Sequence, residues 1–249
     1  METTVATQLY HEHDRGDRTR PRRSSRNYRS LTLLLEKLRR VVDSDLLEGG
    51  ETILDYGCGN KPYRELFGAK FTQYLGADIA GNREAELTID DEGRVPVEDG
   101  RFDCVLSSQV LEHVTNPRVY LREAHRVLKE AGSLILSTHG IWPYHPDPVD
   151  YWRWTIEGLQ LEIRRAGFEV LMVQAVFGPE SSALQLWQDA TFERLPRLVR
   201  PLYTWMFQSA IGFIERRQPE KVSPDASVYI VLARKKVAGT DEGNEAVES

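Results

Sequence analysis

The stretch Ile53-Leu-Asp-Tyr-Gly-Cys-Gly-Asn60, followed by Gly76-Ala-Asp78, decides how this chain folds. The apolar residues at the start of the first segment predict the end of a buried strand. Gly57 and Gly59 lack a Cβ, so the backbone can turn sharply there and approach a ligand closely. The helix expected next should open near Pro62, since proline is accepted in a first helical turn.

Two acidic residues indicate what the glycine turn binds. Asp78, with Ile79 after it, ends a second predicted strand, where a carboxylate can accept both hydroxyls of a ribose. Asp55 stands two residues before the first glycine, and Pro62 occupies the place of the third glycine of a dinucleotide motif. An anion so close to the ligand suits a cation better than a pyrophosphate. The sequence therefore predicts a nucleoside cofactor that carries positive charge.

The pattern Asp55-x-Gly57-x-Gly59 resembles motif I of class I S-adenosylmethionine (SAM) methyltransferases, and later segments extend the resemblance. Taken in order, these segments resemble the motifs of the type-11 methyltransferase family: Asp90–Asp103, Cys104–Val114, Leu121–Gly132 and Ser133–Thr138. The stretch His145-Pro-Asp-Pro-Val-Asp-Tyr-Trp-Arg-Trp-Thr155 is similar to a signature of a subgroup associated with polysaccharide and secondary-metabolite pathways. The resemblance covers residues 26–177 and implies SAM as the cofactor.

Strand-like and helical runs alternate through the middle of the chain. The strands are predicted at residues 51–56, 73–79, 85–89, 103–108, 133–138, 169–176 and 227–233. Helical runs separate most of them, which predicts a mostly parallel α/β sheet covered on both faces. The resemblance implies the Rossmann-like class I methyltransferase fold, with seven strands and a reversed last strand.

Composition sets the remaining bounds. The chain has 249 residues, 41% of them hydrophobic and 28% charged, with a net charge of −6, which argues against general attraction to nucleic acid. Its two cysteines provide neither a disulfide framework nor a metal-binding spacing. No signal peptide is visible, and the longest apolar stretch, residues 202–214, falls short of the ~20 residues that a spanning helix needs. We expect a cytoplasmic protein.

We divide the chain into a methyltransferase domain at residues 28–236 and two disordered tails. Residues 1–27 are rich in arginine, and they form either a solvated tail or an arm for nucleic acid or a membrane surface. Residues 237–249 are acidic. Within the domain, residues 178–226 form a helical insertion rich in aromatic residues, with Leu184, Trp187, Thr191 and Leu195 at helical spacing. This insertion either packs on the sheet or serves as a lid, an acceptor pocket or a homodimer surface.

The resemblance assigns cofactor contacts along the carboxyl edge of the sheet. The residues are Asp55, Gly57, Gly59, Asp78, Ile79, Asp90, Asp91, Ser107, Ser108 and Gln109. Three roles are open for Asp55: it contacts the ammonium group directly, it contacts that group through a water molecule, or it braces the glycine loop. Asp91 matches the adenine-amine position of the family, with Asp90 as the alternative one residue away.

The loop His139–Thr155 is the predicted acceptor wall. A base is useful for a hydroxyl acceptor, and histidine has a suitable pKa. The candidate catalytic residues are His145, His139 and Asp150; His145 and Asp150 either form an oriented base or fasten the loop. The candidate substrate residues are His113, Trp142, Tyr144, Tyr151 and Arg153.

Glu112-His113 raises the question of a metal, since a related E-x-x-E-H run binds a divalent ion in ubiquinone-pathway and small-RNA methyltransferases. Gln109 stands where the first glutamate would be, and a hard cation prefers several anionic oxygens. We therefore predict no metal.

The favoured function is methyl transfer from SAM to a small molecule, a sugar-containing or secondary metabolite, at oxygen or nitrogen. Two alternatives are an RNA methyltransferase and a SAM-binding regulatory or scaffold protein without catalysis. Nucleic-acid partners are not expected, because no RNA-binding module is recognisable. The acceptor and the oligomeric state are not fixed by the sequence.

Overall fold

A computed structural model of the protein describes residues 18–147, 149–217 and 222–237. It contains one seven-stranded sheet in the order β3-β2-β1-β4-β5-β7-β6. Strands β1 to β5 pair in parallel, whereas β7 is antiparallel to both β5 and β6. The predicted Rossmann-like methyltransferase fold with a reversed last strand is confirmed.

The strands lie close to their predicted positions. They are β1 (Gly50–Tyr56), β2 (Phe71–Ile79), β3 (Leu87–Ile89), β4 (Phe102–Ser108), β5 (Leu128–His139), β6 (Phe168–Val176) and β7 (Val228–Lys235). The helices are α1 (Tyr28–Val42), α2 (Arg64–Phe67), α3 (Pro117–Val127), α4 (Ile156–Arg165), α5 (Pro179–Phe192) and α6 (Arg200–Glu215), with a short 3₁₀ helix at Leu111–His113.

Each face of the sheet has its own hydrophobic core. On one face, α3 and α4 pack through residues such as Leu121, Leu159 and Ile163, all fully buried. On the other face, α1 and α6 contribute Leu38 and Ile211. With both faces covered, the carboxyl ends of the parallel strands form the open edge where ligands of α/β folds bind.

Local signals explain where α3 and α4 begin, while several boundaries differ from the prediction by two to five residues. Asn116 and Thr155 cap α3 and α4 with side-chain oxygens that accept backbone N–H groups. The helix expected to open at Pro62 begins only at Arg64 and is four residues long. Strand β5 starts at Leu128, five residues before the predicted position 133, because Leu128 already pairs with Phe102.

The insertion forms a helical hairpin, α5 and α6 joined by residues 193–199. Of the two alternatives left open by the sequence, packing on the sheet does not describe Trp187, which is 63% exposed. The buried face of α5 consists of polar residues: Ser181, Ser182, Gln185 and Gln188. Spacing alone predicted the helix correctly, but it could not show which face the rest of the protein covers.

Part of the predicted N-terminal tail is packed. The backbone carbonyl of Arg26 accepts hydrogen bonds from Gln208 at 2.6 Å and from Gln185 at 3.2 Å. Its guanidinium lies 4.5 Å from the centre of the Phe192 ring. The domain therefore begins before the predicted boundary at residue 28. The remainder of this tail, residues 1–17, and the acidic tail from residue 238 lie outside the described residues.

Candidate active site

The glycine turn after β1 has the backbone conformation that the sequence predicts. Gly57 and Gly59 have φ angles of 83° and 53°, a region that favours glycine. A Cβ on Gly57 would lie only 2.5 Å from Val110 at the end of β4. The turn therefore needs glycine both for its dihedral angles and for the close approach of β1 to β4.

Asp78, at the end of β2, lies against this turn. Its Oδ2 accepts hydrogen bonds from the Gly59 N–H at 2.7 Å and from the Asn82 amide at 2.7 Å, and its Oδ1 accepts one from the Ile79 N–H at 2.8 Å. The side chain is only half-buried, so the carboxylate is fixed in place while part of it stays open.

Asp55 is more deeply placed than Asp78. It is 3% exposed, and its Oδ2 accepts the Tyr74 hydroxyl at 2.5 Å. Burial raises the pKa of Asp55 to about 7, although the Tyr74 hydrogen bond opposes this shift. Among the roles predicted for Asp55, bracing of the loop agrees best with this enclosed position.

Asp90 and Asp91 follow β3 and use their carboxylates differently. Asp90 Oδ1 accepts the N–H groups of Glu92 at 2.9 Å and Arg94 at 2.8 Å, so it closes its own turn. Asp91 is exposed, and within the described residues its side chain makes no hydrogen bond or ion pair. Asp90 is exposed as well, but its Oδ1 is engaged, whereas both oxygens of Asp91 are open to a ligand.

Buried polar side chains close the end of β4. The Ser107 hydroxyl lies 2.9 Å from that of Tyr120, and the Ser108 hydroxyl lies 3.0 Å from that of Ser137. Gln109 follows with a φ of 59°, which is uncommon for a residue other than glycine, and its amide donates to Ser137 at 3.1 Å. Such outliers cluster at functional sites.

Glu112 is the centre of the neighbouring group and has no exposed surface. Its Oε1 lies 2.6 Å from His139 Nδ1, and its Oε2 accepts the Thr138 hydroxyl at 2.8 Å. Burial opposes ionisation, but the hydrogen bond and positive charge of His139, with the charge of His113, outweigh it and lower the pKa of Glu112 to about 2. An ionised carboxylate only accepts, so His139 Nδ1 carries the proton.

His113 and His145 complete a cluster of imidazoles around Glu112 and His139. The ring centres of His139 and His145 are 4.7 Å apart, and those of His113 and His145 are 5.0 Å apart. His113 Nδ1 lies 2.6 Å from the Val149 carbonyl, an acceptor, so Nδ1 carries a proton, and Nε2 lies 4.0 Å from Glu112 Oε1.

His145 has the same tautomer for a similar reason. Its Nδ1 lies 3.2 Å from the Pro143 carbonyl and 3.2 Å from Asp150 Oδ2, both of which are acceptors and both nearer than the Arg153 guanidinium at 3.5 Å. Burial, followed by the positive charge of His139, lowers the pKa of His145, so the ring is neutral at neutral pH. Its Nε2 can therefore take up a proton.

Asp150 and Arg153 hold the loop together. Arg153 donates to both oxygens of Asp150, to the Trp142 carbonyl at 2.9 Å and to the Pro143 carbonyl at 2.8 Å. Burial opposes ionisation of Asp150, but Arg153 and the His145 backbone N–H together lower its pKa to about 2. These contacts occupy Arg153, which we had placed at the substrate.

The aromatic residues of the loop face outward near the histidines. Tyr144 and Tyr151 are exposed, while Trp142 stacks loosely on His139 with ring centres 5.0 Å apart. The backbone N–H groups of Tyr151 and Trp152 donate to the Glu112 carbonyl, which ties the loop to the end of β4. The predicted acceptor wall thus borders the histidine cluster.

One set of these residues could also hold a metal ion. Glu112, His113 and His145 each offer one ligand atom, and these atoms lie within 4.8 Å of one another. Both imidazoles are oriented through Nδ1 by backbone carbonyls, an arrangement that is common behind metal-ligating histidines. Our prediction of no metal remains untested.

Sequence reasoning missed two features of this site. Glu112 had been considered only as a metal ligand, whereas it is the buried partner of His139, 27 residues away in the chain. Tyr74 had not been considered, although it hydrogen-bonds Asp55. The first contact joins the 3₁₀ helix to β5 and the second joins β1 to β2, and no local motif marks either.

Comparison with known proteins identifies the family. A family model described as a methyltransferase domain matches residues 23–193. The chain belongs to this family. The predicted SAM-dependent methyltransferase domain and its SAM cofactor are thereby confirmed, while assignment to the type-11 subgroup stays a prediction.

The methyltransferase domain resembles curated proteins over part of their length. A ubiquinone biosynthesis O-methyltransferase from Ruegeria pomeroyi is 36% identical over 102 residues, which are 36% of this chain and 41% of that protein. The first relatives matched are covered over 35% to 51% of their own length.

Solved structures at lower identity show the same fold. The [4+2]-cyclase SpnF has a TM-score of 0.51 and 22% identity over 82% of this chain and 81% of its own. Phosphoethanolamine N-methyltransferase 2 of Haemonchus contortus, in complex with S-adenosylhomocysteine, has a TM-score of 0.50 and 16% identity over 82% of this chain and 52% of its own. Because one of the two is a cyclase, the reaction must be argued from the site.

Within the described residues, no helix is both long enough and apolar enough to span a membrane.

Proposed function

We propose that this domain transfers a methyl group from SAM to an oxygen or nitrogen atom of a small-molecule acceptor, which His145 deprotonates. The observation that carries the proposal is the state of His145. Its Nδ1 proton lies between two acceptors, so the lone pair of Nε2 is available beside the predicted acceptor wall.

The residues around the glycine turn fit SAM. The turn places bare peptide backbone at the edge of the sheet, because Gly57 and Gly59 adopt left-handed φ angles. A Cβ on Gly57 would collide with Val110. Asp78 is a fixed, half-open carboxylate suited to ribose hydroxyls, and Asp91 is an unengaged one suited to the adenine amine. Asp55, which precedes the turn, is held in place by its hydrogen bond with the Tyr74 hydroxyl. These carboxylates would also attract a ligand that carries positive charge.

Bound SAM would supply an electrophilic methyl group: the bond from the acceptor's oxygen or nitrogen to carbon would form as the carbon–sulfur bond breaks, with S-adenosylhomocysteine as the neutral leaving group. The chain's own contribution is to hold the acceptor in line, where alignment is worth on the order of 7–11 kcal/mol. His145 Nε2 takes the acceptor proton, and Asp150 stabilises the imidazolium that forms. The ring returns this proton to solvent.

His139 supports this step from a more enclosed position. The His139 side chain is 7% exposed and that of His145 is 32% exposed, so an acceptor reaches His145 more easily. The ionised Glu112 fixes the His139 ring, and that ring packs against His145. We therefore assign the base to His145 and its positioning to His139 and Glu112.

The acceptor class rests on the loop and the relatives. The similarity of residues 145–155 to a polysaccharide and secondary-metabolite signature favours a sugar-containing or secondary metabolite. Similarity to ubiquinone biosynthesis O-methyltransferases favours oxygen as the acceptor atom.

The test is to incubate the protein with methyl-labelled SAM and separate small-molecule, RNA and protein fractions of a cell extract. We expect label in a small-molecule fraction, together with calorimetric binding of S-adenosylhomocysteine and none of NAD. Label in RNA would support an RNA methyltransferase instead. Binding of S-adenosylhomocysteine without transfer to any fraction would support a SAM-binding scaffold.

A further inference from the structure

The helical hairpin of α5 and α6 has partly reversed polarity: several polar residues face the protein beside the core residue Ile211, and several large apolar residues face outward. On α6, Leu202, Trp205, Met206 and Phe213 are all exposed and recur at spacings of three, four and seven residues. That spacing places them on one side of the helix. The opposite side, which includes Thr204 and Gln208, is buried.

A polar network fixes this orientation. The Gln208 amide donates to Gln188 at 2.8 Å and to the Arg26 carbonyl at 2.6 Å, and its oxygen accepts the Arg29 N–H at 2.8 Å. Ser182 and Ser227 are joined by a hydrogen bond of 2.8 Å. Turning the hairpin to bury its aromatic residues would break these buried hydrogen bonds, each worth about 1 kcal/mol or more. The apolar side is therefore held outward.

The outward side extends beyond α6. Trp187 on α5 is 63% exposed and Trp205 on α6 is 65% exposed, while Leu198 in the connection is 94% exposed. We call the exposed side chains of Trp187, Leu198, Leu202, Trp205, Met206 and Phe213 the apolar patch. Protruding tryptophans and leucines in one patch usually mark a contact surface.

The charge around the apolar patch is positive, in contrast to the rest of the chain. Residues 193–217 contain five arginines and two acids, and the adjoining residues 18–29 contain six arginines and no acid, although the whole chain has a net charge of −6. Within the part of the chain that the structure describes, exposed Arg194 and Arg197 form no ion pair. Their charges are available to a negatively charged partner.

We propose that the apolar patch and its arginines bind the surface of an anionic lipid bilayer. Helices that lie in a membrane interface combine outward tryptophan, phenylalanine and leucine with arginine, and basic residues near the surface gain from anionic headgroups. A second copy of the chain fits less well. A two-fold contact would bring the arginines of both copies together without added acids.

The hairpin is also connected to the acceptor side of the sheet. Helix α5 begins just after β6, and the chain returns at Ala226 and Ser227, whose carbonyls accept the N–H groups of Ile141 and Gly140 at 2.9 Å. The proposed membrane surface is therefore attached to the loop that follows His139, although membrane binding does not depend on catalysis.

Flotation of the full chain with lipid vesicles tests this proposal. We expect binding to an equal mixture of phosphatidylcholine and phosphatidylglycerol, little binding to phosphatidylcholine alone, and release by salt. The double substitution Trp205→Ser with Met206→Ser should lower partitioning about tenfold or more. The matched control is Leu161→Ser, which removes an exposed leucine of α4 and should change nothing.

The arginines are tested separately with Arg194→Gln and Arg197→Gln, which should weaken binding to the mixed vesicles and reduce its salt dependence. Affinity for S-adenosylhomocysteine, which confirms the fold, should stay unchanged in all variants. The proposal is overturned if the chain does not bind mixed vesicles or if binding survives the Trp205 and Met206 changes. A dimer that these changes dissociate, without any vesicle binding, would make the patch an interface between two copies.

Discussion

The two proposed halves of the site, one for the cofactor and one for the acceptor, are built in different ways. The cofactor half, made of the turn after β1 with Asp78 and Asp91, depends on backbone shape and on carboxylates that follow strands directly. The acceptor half, made of Glu112, His113 and the loop His139–Thr155, depends on side chains that meet from distant parts of the chain. The residues of the first half lie in short sequence motifs, whereas those of the second half come together only when the sheet forms.

Substitutions in the two halves should therefore impair different properties of the protein. Changes in the acceptor half should lower turnover and stability while leaving cofactor affinity alone. Changes in the cofactor half should lower affinity for SAM.

The largest effect should come from His145→Ala, which removes the proposed base. Turnover should fall by about 10²–10⁴-fold, the usual contribution of a general base. His125→Ala, on α3 against Phe168, is the matched control and should keep normal turnover. The initial rate of methyl transfer to the labelled acceptor measures both.

The pH profile sharpens this prediction. Because the pKa of His145 is lowered from 6.5, the acid limb of the wild-type rate should lie below that value. If His145→Ala and His139→Ala both retain near-normal turnover, methyl transfer depends on alignment alone and the proposed base is wrong.

Glu112→Gln should have the next largest effect, on stability. The pKa of Glu112 is about 2 in the folded protein, against 4.5 for an ordinary glutamate, so its contribution is present above 4.5 and is lost as the pH falls toward 2. The shift corresponds to about 3 kcal/mol at neutral pH. Urea unfolding of both proteins at several pH values measures the difference.

This stability difference should shrink steadily as the pH is lowered from 5 to 2. Glu98→Gln, at an exposed position, is the control and should cost little at any pH. A difference that does not change with pH would show that the charge of Glu112 does not stabilise the fold.

The sequence predicted the fold correctly because its determinants are local, and the cofactor half, which stays a prediction, rests on residues of the same local kind. The positions of the strands and the left-handed φ angles of Gly57 and Gly59 follow from residues near each other in the chain. The pairing of Glu112 with His139 does not follow from neighbouring residues, because it depends on the register of β4 against β5. The orientation of Trp187 was left open because helical spacing is the same whichever side of the helix is covered.

Asp78→Ala should produce a smaller effect, confined to the cofactor. Loss of its charge-assisted hydrogen bonds should weaken SAM binding by about 1–3 kcal/mol. Glu84→Ala, an exposed acid just after β2, is the control. Unchanged affinity in Asp78→Ala would move the ribose contact to another residue.

Removal of residues 1–25 should have the smallest effect, because it keeps Arg26, whose carbonyl accepts hydrogen bonds from Gln208 and Gln185. It does remove Arg18, whose charge helps to lower the pKa of Asp55. The melting temperature and the affinity for S-adenosylhomocysteine should stay near those of the full chain. A large fall in melting temperature would show that this segment supports one of the two halves. RNA binding that is salt-sensitive and is lost on truncation would favour the RNA alternative.

The division of the site into two halves is tested most directly by titrating S-adenosylhomocysteine calorimetrically into Asp78→Ala and His145→Ala, beside the unaltered protein. The account predicts weaker binding in Asp78→Ala and unchanged binding in His145→Ala. Loss of binding in His145→Ala, with normal binding in Asp78→Ala, would contradict it, because the loop His139–Thr155 would then hold the cofactor.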